Sequence, residues 1–518
     1  MDKFAAKALE EYNSTEKTVR RAGNNGKPFW NINSSQFMFA PQIFMPSFQC
    51  ANEYIYTVTD SKGKTHTFTA DNPIEPLTPI WNNVATGIAV LTVEAVNKNT
   101  GEKYIAGTRS FCKMQGFPGR EALPERACSY KECALKAFRF LFNDPTTRFW
   151  LEKGTPDPNY YHNVYPSKMI SSIVGAMLAY AELEPENSEA ALQLATNAAD
   201  YLLSETYDES FALAGLPPTY SFKGLNKEIV DKNAPMAWPR RHQLMIIYPA
   251  SAGIMYLELE KVTGDKKYLD AAIRIGKYFV DNVQPNGSWY LLMSAKTGEP
   301  ESNNCCVSFE ILDFLKTLYN RTGDEKIPML VDNYYAFLTK TCLENYNWEG
   351  QFEDIKLSGN YMDLTHLEAD RMINYIVENH SDNEKMLETA KELMRFVEDQ
   401  FVVWGEHAPW NEHLHEGDYW YSPAALEQYF WYVPIDGSTV AVMEAMLNIY
   451  KATGDELLLE KAKALGDSIT RMQDSESGVI PTHWMSKDCT KTLENFWINC
   501  HISSAFRMYK LAKITGEI

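Results

Sequence analysis

From about residue 128 onward, the chain alternates between two kinds of helical run. Runs that are apolar on nearly every side alternate with runs that carry charge on one side only. A helix that is apolar all round is typical of an interior position, and an amphipathic helix is typical of an outer one. The inner runs lie at about 168–183, 244–262, 305–321, 362–379, 438–452 and 497–514, and the outer runs at about 130–143, 188–205, 266–283, 326–342, 383–400 and 456–473.

A short phrase marks the turn after several inner runs. Thr-Gly-Asp or Thr-Gly-Glu occurs at 263–265, 322–324, 453–455 and 515–517, and two junctions without the phrase occupy the same place at 183–187 and 379–383. A pair of helices joined in this way is too small to bury its own apolar face, so the pairs must pack side by side. The sequence therefore predicts a mainly α protein built on a closed (α/α)6 toroid, with six inner and six outer helices.

The first quarter of the chain follows a period of two instead. Residues 53–59 alternate apolar and polar side chains, residues 61–64 form a turn, and residues 65–69 alternate again, which is typical of a hairpin. A longer strand is predicted at 87–96, turned back into 103–107. We predict a small antiparallel β-sandwich domain at 28–115, between an N-terminal helical segment at 1–27 and the toroid at 116–518.

The connections of the toroid differ in length. Inner-to-outer turns are short, whereas the links from an outer run to the next inner run are long and carry most of the Trp residues, several His residues and the Arg pair at 240–241. Long loops gathered at one end of a rigid scaffold are common places for binding and catalysis. We expect the functional site in this mouth, the alternative being surface loops without a function.

Charge and composition exclude several classes of function. The chain has 49 basic and 68 acidic residues, a net charge of −19, which disfavours a broad nucleic-acid surface. No apolar stretch approaches membrane-spanning length, and the nine cysteines are scattered and odd in number, which favours reduced thiols. Residues 1–17 are charged and lack the apolar core of a secretory signal. We expect a cytoplasmic protein, or a periplasmic one if a leader has been removed.

Two acidic segments in the mouth are candidates for catalysis. Glycoside hydrolysis needs one carboxyl group kept protonated as the acid and a second one ionised. Glu353 and its neighbour Asp354 lie among aromatic residues, where burial would raise a pKa into the acid role. Glu412, in a loop rich in Trp and His, is the predicted partner carboxylate. Capping of a helix N-terminus is the alternative for Asp354.

The most basic point of any mouth loop is the sequence Trp-Pro-Arg-Arg-His at 238–242. Arginine binds a carboxylate through two parallel hydrogen bonds, which lysine cannot reproduce. We predict that Arg240, Arg241 and His242 bind an anionic ligand such as a uronate, the alternative being a structural salt bridge. The other predicted substrate-binding residues are His162, Tyr165, Asn304, Trp404, Trp410, His413 and His501, of which the two tryptophans are expected to stack on a sugar ring.

A metal site is the less favoured reading of the adjacent cysteines Cys305 and Cys306. Thiolates with His413 and His415 would suit zinc, but no third cysteine with suitable spacing accompanies them. We expect buried thiols, no metal and no cofactor. The sequence also contains no Gly-rich phosphate loop after a strand, no His-Glu-x-x-His and no Gly-x-Ser-x-Gly.

With its front β domain, its toroid and the mouth sequences WPRRH, NNCC, WEGQFED and WGEHAPWNEHLHEGDYW, the chain resembles bacterial polysaccharide-degrading enzymes of the (α/α)6 class. It is most similar to the exo-β-glucuronidases of glycoside hydrolase family 154, which gut Bacteroidetes use on plant and host glycans. The resemblance implies a hydrolase that releases terminal β-linked glucuronic acid. Unsaturated glucuronyl hydrolases have a similar toroid but lack a front domain of this kind.

Two other functions fit the same residues. A uronate lyase or epimerase would use Tyr165, His162 and His413 to remove the proton at C5 of the sugar. A non-catalytic protein would bind a glycan without turnover, since toroids also serve as scaffolds. In each case we expect a carbohydrate partner with a uronic acid, neither nucleic acid nor membrane, and the β-sandwich as the contact surface of any homo-oligomer.

Overall fold

The computed structural model describes residues 2–14, 35–353, 364–408, 421–428, 433–484 and 496–518. Its helices are α1 (Lys3–Ser14), α2 (Thr78–Trp81), α3 (Tyr130–Asn143), α4 (Pro145–Lys153), α5 (Pro166–Leu183), α6 (Ser188–Glu205), α7 (Lys227–Asn233), α8 (Ile247–Thr263), α9 (Lys266–Asp281), α10 (Phe309–Thr322), α11 (Ile327–Leu338), α12 (Leu367–His380), α13 (Glu384–Phe401), α14 (Asp436–Thr453), α15 (Glu456–Met472) and α16 (Ile498–Ile514). Its strands are β1 (Gln36–Phe37), β2 (Glu53–Thr59), β3 (Thr65–Ala70), β4 (Gly87–Val96), β5 (Lys103–Lys113), β6 (Gln243–Met245), β7 (Leu292–Ser294), β8 (Val402–Val403) and β9 (Ala424–Ala425).

Six helices form a closed inner ring in the order α5, α8, α10, α12, α14 and α16, and α16 packs back on α5. Each inner helix also packs on one outer helix, and the outer helices are α6, α9, α11, α13, α15 and α3. The first outer helix along the chain, α3, pairs with the last inner one, α16. This arrangement matches the predicted toroid and the predicted alternation of inner and outer runs.

The Thr-Gly-Asp phrase works as a two-sided helix cap. At the end of α8, the Thr263 hydroxyl donates to the Leu259 carbonyl at 2.7 Å, and Gly264 takes a left-handed φ of 72° that ends the helix. The Asp265 carboxylate then accepts from the Lys267 amide at 3.0 Å and caps α9. The same contacts recur at the other two Thr-Gly-Asp turns. One phrase therefore stops an inner helix and starts an outer one.

The Thr-Gly-Glu copy near the C-terminus closes the ring. Glu517 accepts from the Lys131 amide at 3.0 Å, in the first turn of α3, and forms an ion pair with Arg126. The glutamate thus caps the first outer helix, as aspartate caps the outer helix that follows the other copies. The repeat explains why the last inner helix pairs with the first outer one.

The front domain has one sheet, in the order β1-β5-β4-β2-β3. Strands β2 to β5 are antiparallel to their neighbours, and β1 is parallel to β5. The predicted strands at 53–59, 65–69, 87–96 and 103–107 are present, but a sandwich needs two packed sheets. Within residues 35–115 the structure forms only this one, so the sandwich is not confirmed.

The buried face of the sheet packs on the outside of the toroid instead of on a second sheet. Tyr54 and Leu91 of this face belong to the same continuous apolar core as the toroid helices. Polar contacts fix the junction, because the Asp399 carboxylate of α13 accepts from the Met38 and Phe39 amides at 2.6 Å each. The predicted domain boundaries at 27/28 and 115/116 stay predictions.

No helix in the described part of the chain is long and apolar enough to cross a membrane. First-turn residues of all six inner helices line one central cavity, so their N-termini lie at the same end of the ring. The long links that precede the inner helices meet at this end. The fold therefore places the predicted mouth at the N-terminal ends of the inner helices.

Candidate active site

A cavity of about 420 Å³ lies on the axis of the toroid and is lined by residues of all six inner helices. Its volume falls within the range of about 300–1,000 Å³ that is common for small-molecule sites. Lys168, Tyr248 and Trp497 line it at the mouth end, and Glu258 and Arg507 line it further along α8 and α16. Titratable and aromatic side chains of several inner helices thus face one concave site.

Glu353 is held at the wall of this cavity by four side chains. The Lys168 ammonium lies 2.6 Å from its Oε1, and the Tyr248 hydroxyl donates to its Oε2. Its backbone carbonyl accepts from the Tyr220 hydroxyl at 3.0 Å and from the Arg240 guanidinium. Glu353 is 6% exposed, so a carboxylate of fixed orientation sits beside the cavity.

The surroundings of Glu353 favour its ionised form over the protonated form that an acid role would need. Burial by itself raises the pKa of Glu353, but the charge of Lys168 and the hydrogen bonds from Lys168 and Tyr248 outweigh it, so the pKa lies below its usual value. The aromatic neighbours of Glu353 are visible in the sequence, whereas its contact with Lys168 forms only in the folded chain. Glu353 is therefore ionised at neutral pH, which suits a base or a nucleophile. Its catalytic role as such stays a prediction.

An aromatic and basic wall lies next to Glu353. The half-buried Trp497 contacts the His162 ring at a centroid distance of 4.7 Å, and the Lys168 ammonium lies 5.9 Å from the Trp497 ring. Burial, together with the charges of Lys168 and His483, lowers the pKa of His162 to about 3, so the imidazole is neutral. Trp497 offers a face of the kind that stacks on a sugar ring.

Further round the cavity, the carboxyl groups of Glu368 and Glu310 lie near the Arg371 guanidinium. Glu368, in the first turn of α12, accepts from the Phe309 amide at 2.9 Å and from the Arg371 guanidinium at 2.6 Å. Burial raises the pKa of Glu368, although Arg371 opposes the shift. Glu310 of α10 lies 3.7 Å from the same guanidinium. The cavity thus contains carboxyl groups in different electrostatic settings.

Of the predicted anion-binding residues, Arg240 contacts Glu353, whereas Arg241 and His242 contact each other. Arg240 donates to the Glu353 carbonyl, whereas Arg241 is exposed and its Nε lies 3.3 Å from His242 Nε2. Burial, followed by the charges of Lys296 and Arg241, lowers the pKa of His242. Nη1 of Arg240 and Nε of Arg241 are therefore engaged with different groups of the protein.

His162 and Tyr165 lie in the mouth as predicted, but both are largely buried. Tyr165 packs on Tyr220 at a centroid distance of 5.8 Å and lies 5.9 Å from the Lys168 ammonium. Asn304 is exposed, and its carbonyl accepts from the Leu291 amide at 2.7 Å. The structure brings the first two near Lys168, and none of the three is among the described residues that line the cavity.

The structure contradicts the sugar-stacking role predicted for Trp404. Its side chain is 1% exposed and packs edge-on against Phe117 of the front domain, with a centroid distance of 4.8 Å. Its indole nitrogen donates to Glu398 Oε1 at 3.0 Å, the Tyr12 hydroxyl donates to the same oxygen, and the Lys461 ammonium binds Oε2. Trp404 joins the front domain to the toroid.

The structure also contradicts the substrate-binding role predicted for His501. This side chain is fully buried in α16, with Nδ1 accepting from the Ile480 amide at 3.2 Å and Nε2 donating to the Ala137 carbonyl at 2.9 Å. Burial lowers its pKa to about 4, so it is neutral at physiological pH. His501 ties the first outer helix to the last inner one.

Four predicted site residues lie outside the described residues: Asp354, Trp410, Glu412 and His413. Their roles stay predictions. The cysteine pair is described, with Cys306 buried and its pKa raised by that burial, and Cys305 half-buried. Within the described ranges, no three or more His, Cys, Asp or Glu side chains are grouped so that they could hold a metal ion.

Three residues of the mouth were missed by the sequence analysis: Lys168, Tyr248 and Trp497. Each lies at the start of an inner helix, at the end where the long links meet. Selecting the polar and aromatic residues in the first turn of every inner helix would have found them. The link at 401–437 was favoured instead, because it is rich in Trp, His and acidic residues.

No protein family and no curated protein matches the sequence. The structure is similar to that of cellobiose 2-epimerase from Spirochaeta thermophila, with a TM-score of 0.51 and 13% identity over 75% of this chain and 98% of that one. It is similar to a D-mannose isomerase, with a TM-score of 0.50 and 12% identity over 74% and 97% of the two chains. A family 76 glycoside hydrolase from a bovine Bacteroides thetaiotaomicron strain has a TM-score of 0.41 and 10% identity over 90% and 93%. These neighbours are toroid enzymes that process carbohydrates, and at this identity the likeness shows the fold.

Proposed function

We propose that this protein is a carbohydrate-processing enzyme in which a sugar reacts in the axial cavity beside Glu353. The observation that carries the proposal is a buried, ionised carboxylate held between Lys168 and Tyr248 at the cavity wall. Buried carboxylates with a perturbed pKa in a cleft are frequent at catalytic sites. Trp497 supplies an apolar face for the sugar ring within the same mouth.

As the reaction, we propose hydrolysis of a terminal β-linked glucuronic acid. Glu353, being ionised, takes the base or nucleophile role, and we assign the acid role to its predicted partner carboxylate, Glu412. The six inner helix N-termini at the mouth favour negative charge, which supports a uronate. We propose Lys168 as the cation for its carboxylate, because Lys168 lines the cavity at the mouth end, whereas Arg240 and Arg241 are not among its described lining residues.

A second candidate is an epimerase or isomerase of a neutral sugar. The acidic residues that line the cavity outnumber the basic ones, five to three, and are Glu258, Glu310, Glu368, Asp370 and Glu427 against Lys168, Arg371 and Arg507. An excess of carboxylates disfavours a further anion and tolerates an uncharged ligand. Cellobiose and D-mannose, which name two neighbours of the same fold, are the first neutral sugars to test.

The test is a set of parallel assays on the purified protein. Release of para-nitrophenol is measured from the β-glucuronide, the β-glucoside and the β-galactoside; ultraviolet absorbance of an unsaturated product is measured on a polyuronate; and conversion of cellobiose and D-mannose is followed by NMR. Glu353→Gln is the inactive control, since an amide has nearly the size of the carboxylate but no charge.

Each result has a defined meaning. Preferential hydrolysis of the β-glucuronide supports the first proposal, and a rise in absorbance identifies a lyase. Conversion of a neutral sugar without hydrolysis supports the second proposal. Binding of these sugars without any turnover would indicate a glycan-binding protein. Equal turnover by wild type and Glu353→Gln would show that Glu353 has no part in catalysis.

A further inference from the structure

Glu353 lies behind two other side chains as seen from the cavity. Lys168 and Tyr248 line the cavity, whereas Glu353 is not among the described lining residues, and its side chain is only 5% exposed. Each of its carboxylate oxygens faces one of the two: Oε1 faces the Lys168 ammonium and Oε2 the Tyr248 hydroxyl. A sugar in the cavity would therefore meet the phenol and the ammonium before the carboxylate.

We infer that Tyr248 is the catalytic residue that touches the substrate, and that it passes a proton between the substrate and Glu353. This inference rests on the proposed function, and it specifies which atom of the site reacts. A buried carboxylate that receives a hydroxyl hydrogen bond is arranged as a base for that hydroxyl, in the way that a base activates a neighbouring nucleophile. Tyr248 is at the start of α8, a rigid element, so the phenol is held in place.

The proton balance of the step is closed within the site. A substrate hydroxyl, a bound water or an acidic sugar C–H gives its proton to the Tyr248 oxygen. At the same time the phenolic proton moves along the existing hydrogen bond to Glu353 Oε2. The substrate group loses one proton and Glu353 gains one, while Tyr248 is a neutral phenol before and after. In an epimerisation or isomerisation the reverse transfer to the sugar restores the carboxylate, and in a hydrolysis Glu353 releases the proton to solvent after the product has left.

Lys168 gains a second role in this arrangement. While Glu353 is ionised, the ammonium is paired with it at 2.6 Å. When Glu353 takes up the proton, its attraction for the Lys168 ammonium weakens, and the ammonium can then stabilise the negative charge that develops on the sugar. Protonation of Glu353 is thus coupled, through Lys168, to stabilisation of negative charge on the sugar.

The experiment compares kcat and KM of Tyr248→Phe, Glu353→Gln and the double variant, on whichever substrate the wild type converts fastest. The phenylalanine keeps the ring and removes only the hydroxyl. Loss of a proton-transfer group lowers kcat by about 10²–10⁴-fold, with little change in KM. Because the two residues act in one relay, the double variant should be no slower than the worse single variant.

Tyr256→Phe is the matched control. Tyr256 lies on the same helix, is fully buried away from the cavity lining, and its hydroxyl has no partner within the described residues. It should keep wild-type kinetics, and all variants are checked for an unchanged melting temperature within a few degrees.

The outcomes separate the two proposals. A wild type that converts a sugar, together with a Tyr248→Phe variant within about threefold of it, overturns the relay and leaves Glu353 as the group that contacts substrate. Losses from Tyr248→Phe and Glu353→Gln that multiply in the double variant also overturn it, since independent groups would act in that way. A wild type that converts none of the sugars overturns the proposed function, and the relay falls with it.

Discussion

Replacing Lys168 with methionine tests the ion pair at the centre of the site. The substitution keeps most of the apolar stem and removes the cation that lies 2.6 Å from Glu353 Oε1. The pair is well enclosed, with side-chain exposures of 21% for Lys168 and 5% for Glu353. The variant therefore leaves a buried carboxylate with the Tyr248 hydroxyl on one oxygen and without its nearest charge partner.

The structure sets the size of the effect. Breaking a buried ion pair by removing one partner costs about 3–5 kcal/mol, and the partial exposure of Lys168 and the remaining Tyr248 bond reduce this to about 2–3 kcal/mol. The entropy of unfolding is about 2.1 cal/mol/K per residue, or about 1.1 kcal/mol/K for 518 residues. Each kcal/mol then corresponds to about 1 °C, so the melting temperature should fall by about 2–3 °C at neutral pH.

The loss should depend on pH in a defined direction. In the wild type the pKa of Glu353 lies below its usual value of 4.5, so its contribution to stability is present above that value and is lost as the pH falls through the folded pKa. Without Lys168, burial is left as the largest influence and raises the pKa of Glu353. The variant carboxyl then takes up a proton before the wild-type one does, and the difference in melting temperature should shrink on acidification.

The assay is thermal unfolding of both proteins at about pH 7.5 and about pH 4.5. Lys277→Met is the control, because its helical pair with Asp281 is exposed and worth only about 0.3–0.5 kcal/mol. Adding Glu353→Gln to Lys168→Met should recover part of the loss, since no buried charge remains. A loss of equal size at both pH values, or one no larger than that of the control, would refute the reasoning.

Two further predictions concern aromatic residues on either side of the toroid. Trp497→Ala should raise KM for the sugar by about tenfold, or about 1.4 kcal/mol, with little change in kcat, because the cavity loses its stacking face; an unchanged KM in steady-state kinetics would exclude that role. Trp404→Phe removes the indole hydrogen bond to the Glu398 carboxylate, so the melting temperature should fall by about 2–3 °C while KM stays the same. A rise in KM for this variant would restore Trp404 to the sugar site.

The toroid could be predicted because the sequence features that specify it each lie within a short segment of the chain. The alternation of apolar and amphipathic runs depends on neighbours three and four residues apart, and the Thr-Gly-Asp turn is complete within a few residues. The strands of the front domain were also predictable from their period of two. The two hairpins, β2 with β3 and β4 with β5, were predicted as well. The pairing of β1 with β5 and the packing of the sheet on α13 were not, because they join segments that are far apart in the chain.

The candidate site was less predictable than the fold. The position of Glu353 in the mouth follows from the long link before α12, but its ionisation depends on Lys168 and Tyr248, 185 and 105 residues away. Trp404 and His501 satisfied the sequence criteria for a sugar site, yet tertiary packing buries both in structural contacts. A tryptophan that faces a cavity and one that joins two domains have the same local sequence signature.

The amino-acid sequence by itself determined the order of the toroid helices, their inner or outer character and the meeting of the long links at one end of the ring. Short-range hydrogen bonds and helical periodicity are sufficient for each of these. Only the tertiary structure decided which side chains surround the cavity and what charge Glu353 carries. Those properties arise from burial and Coulomb interaction between groups that are distant in sequence, and both act through space.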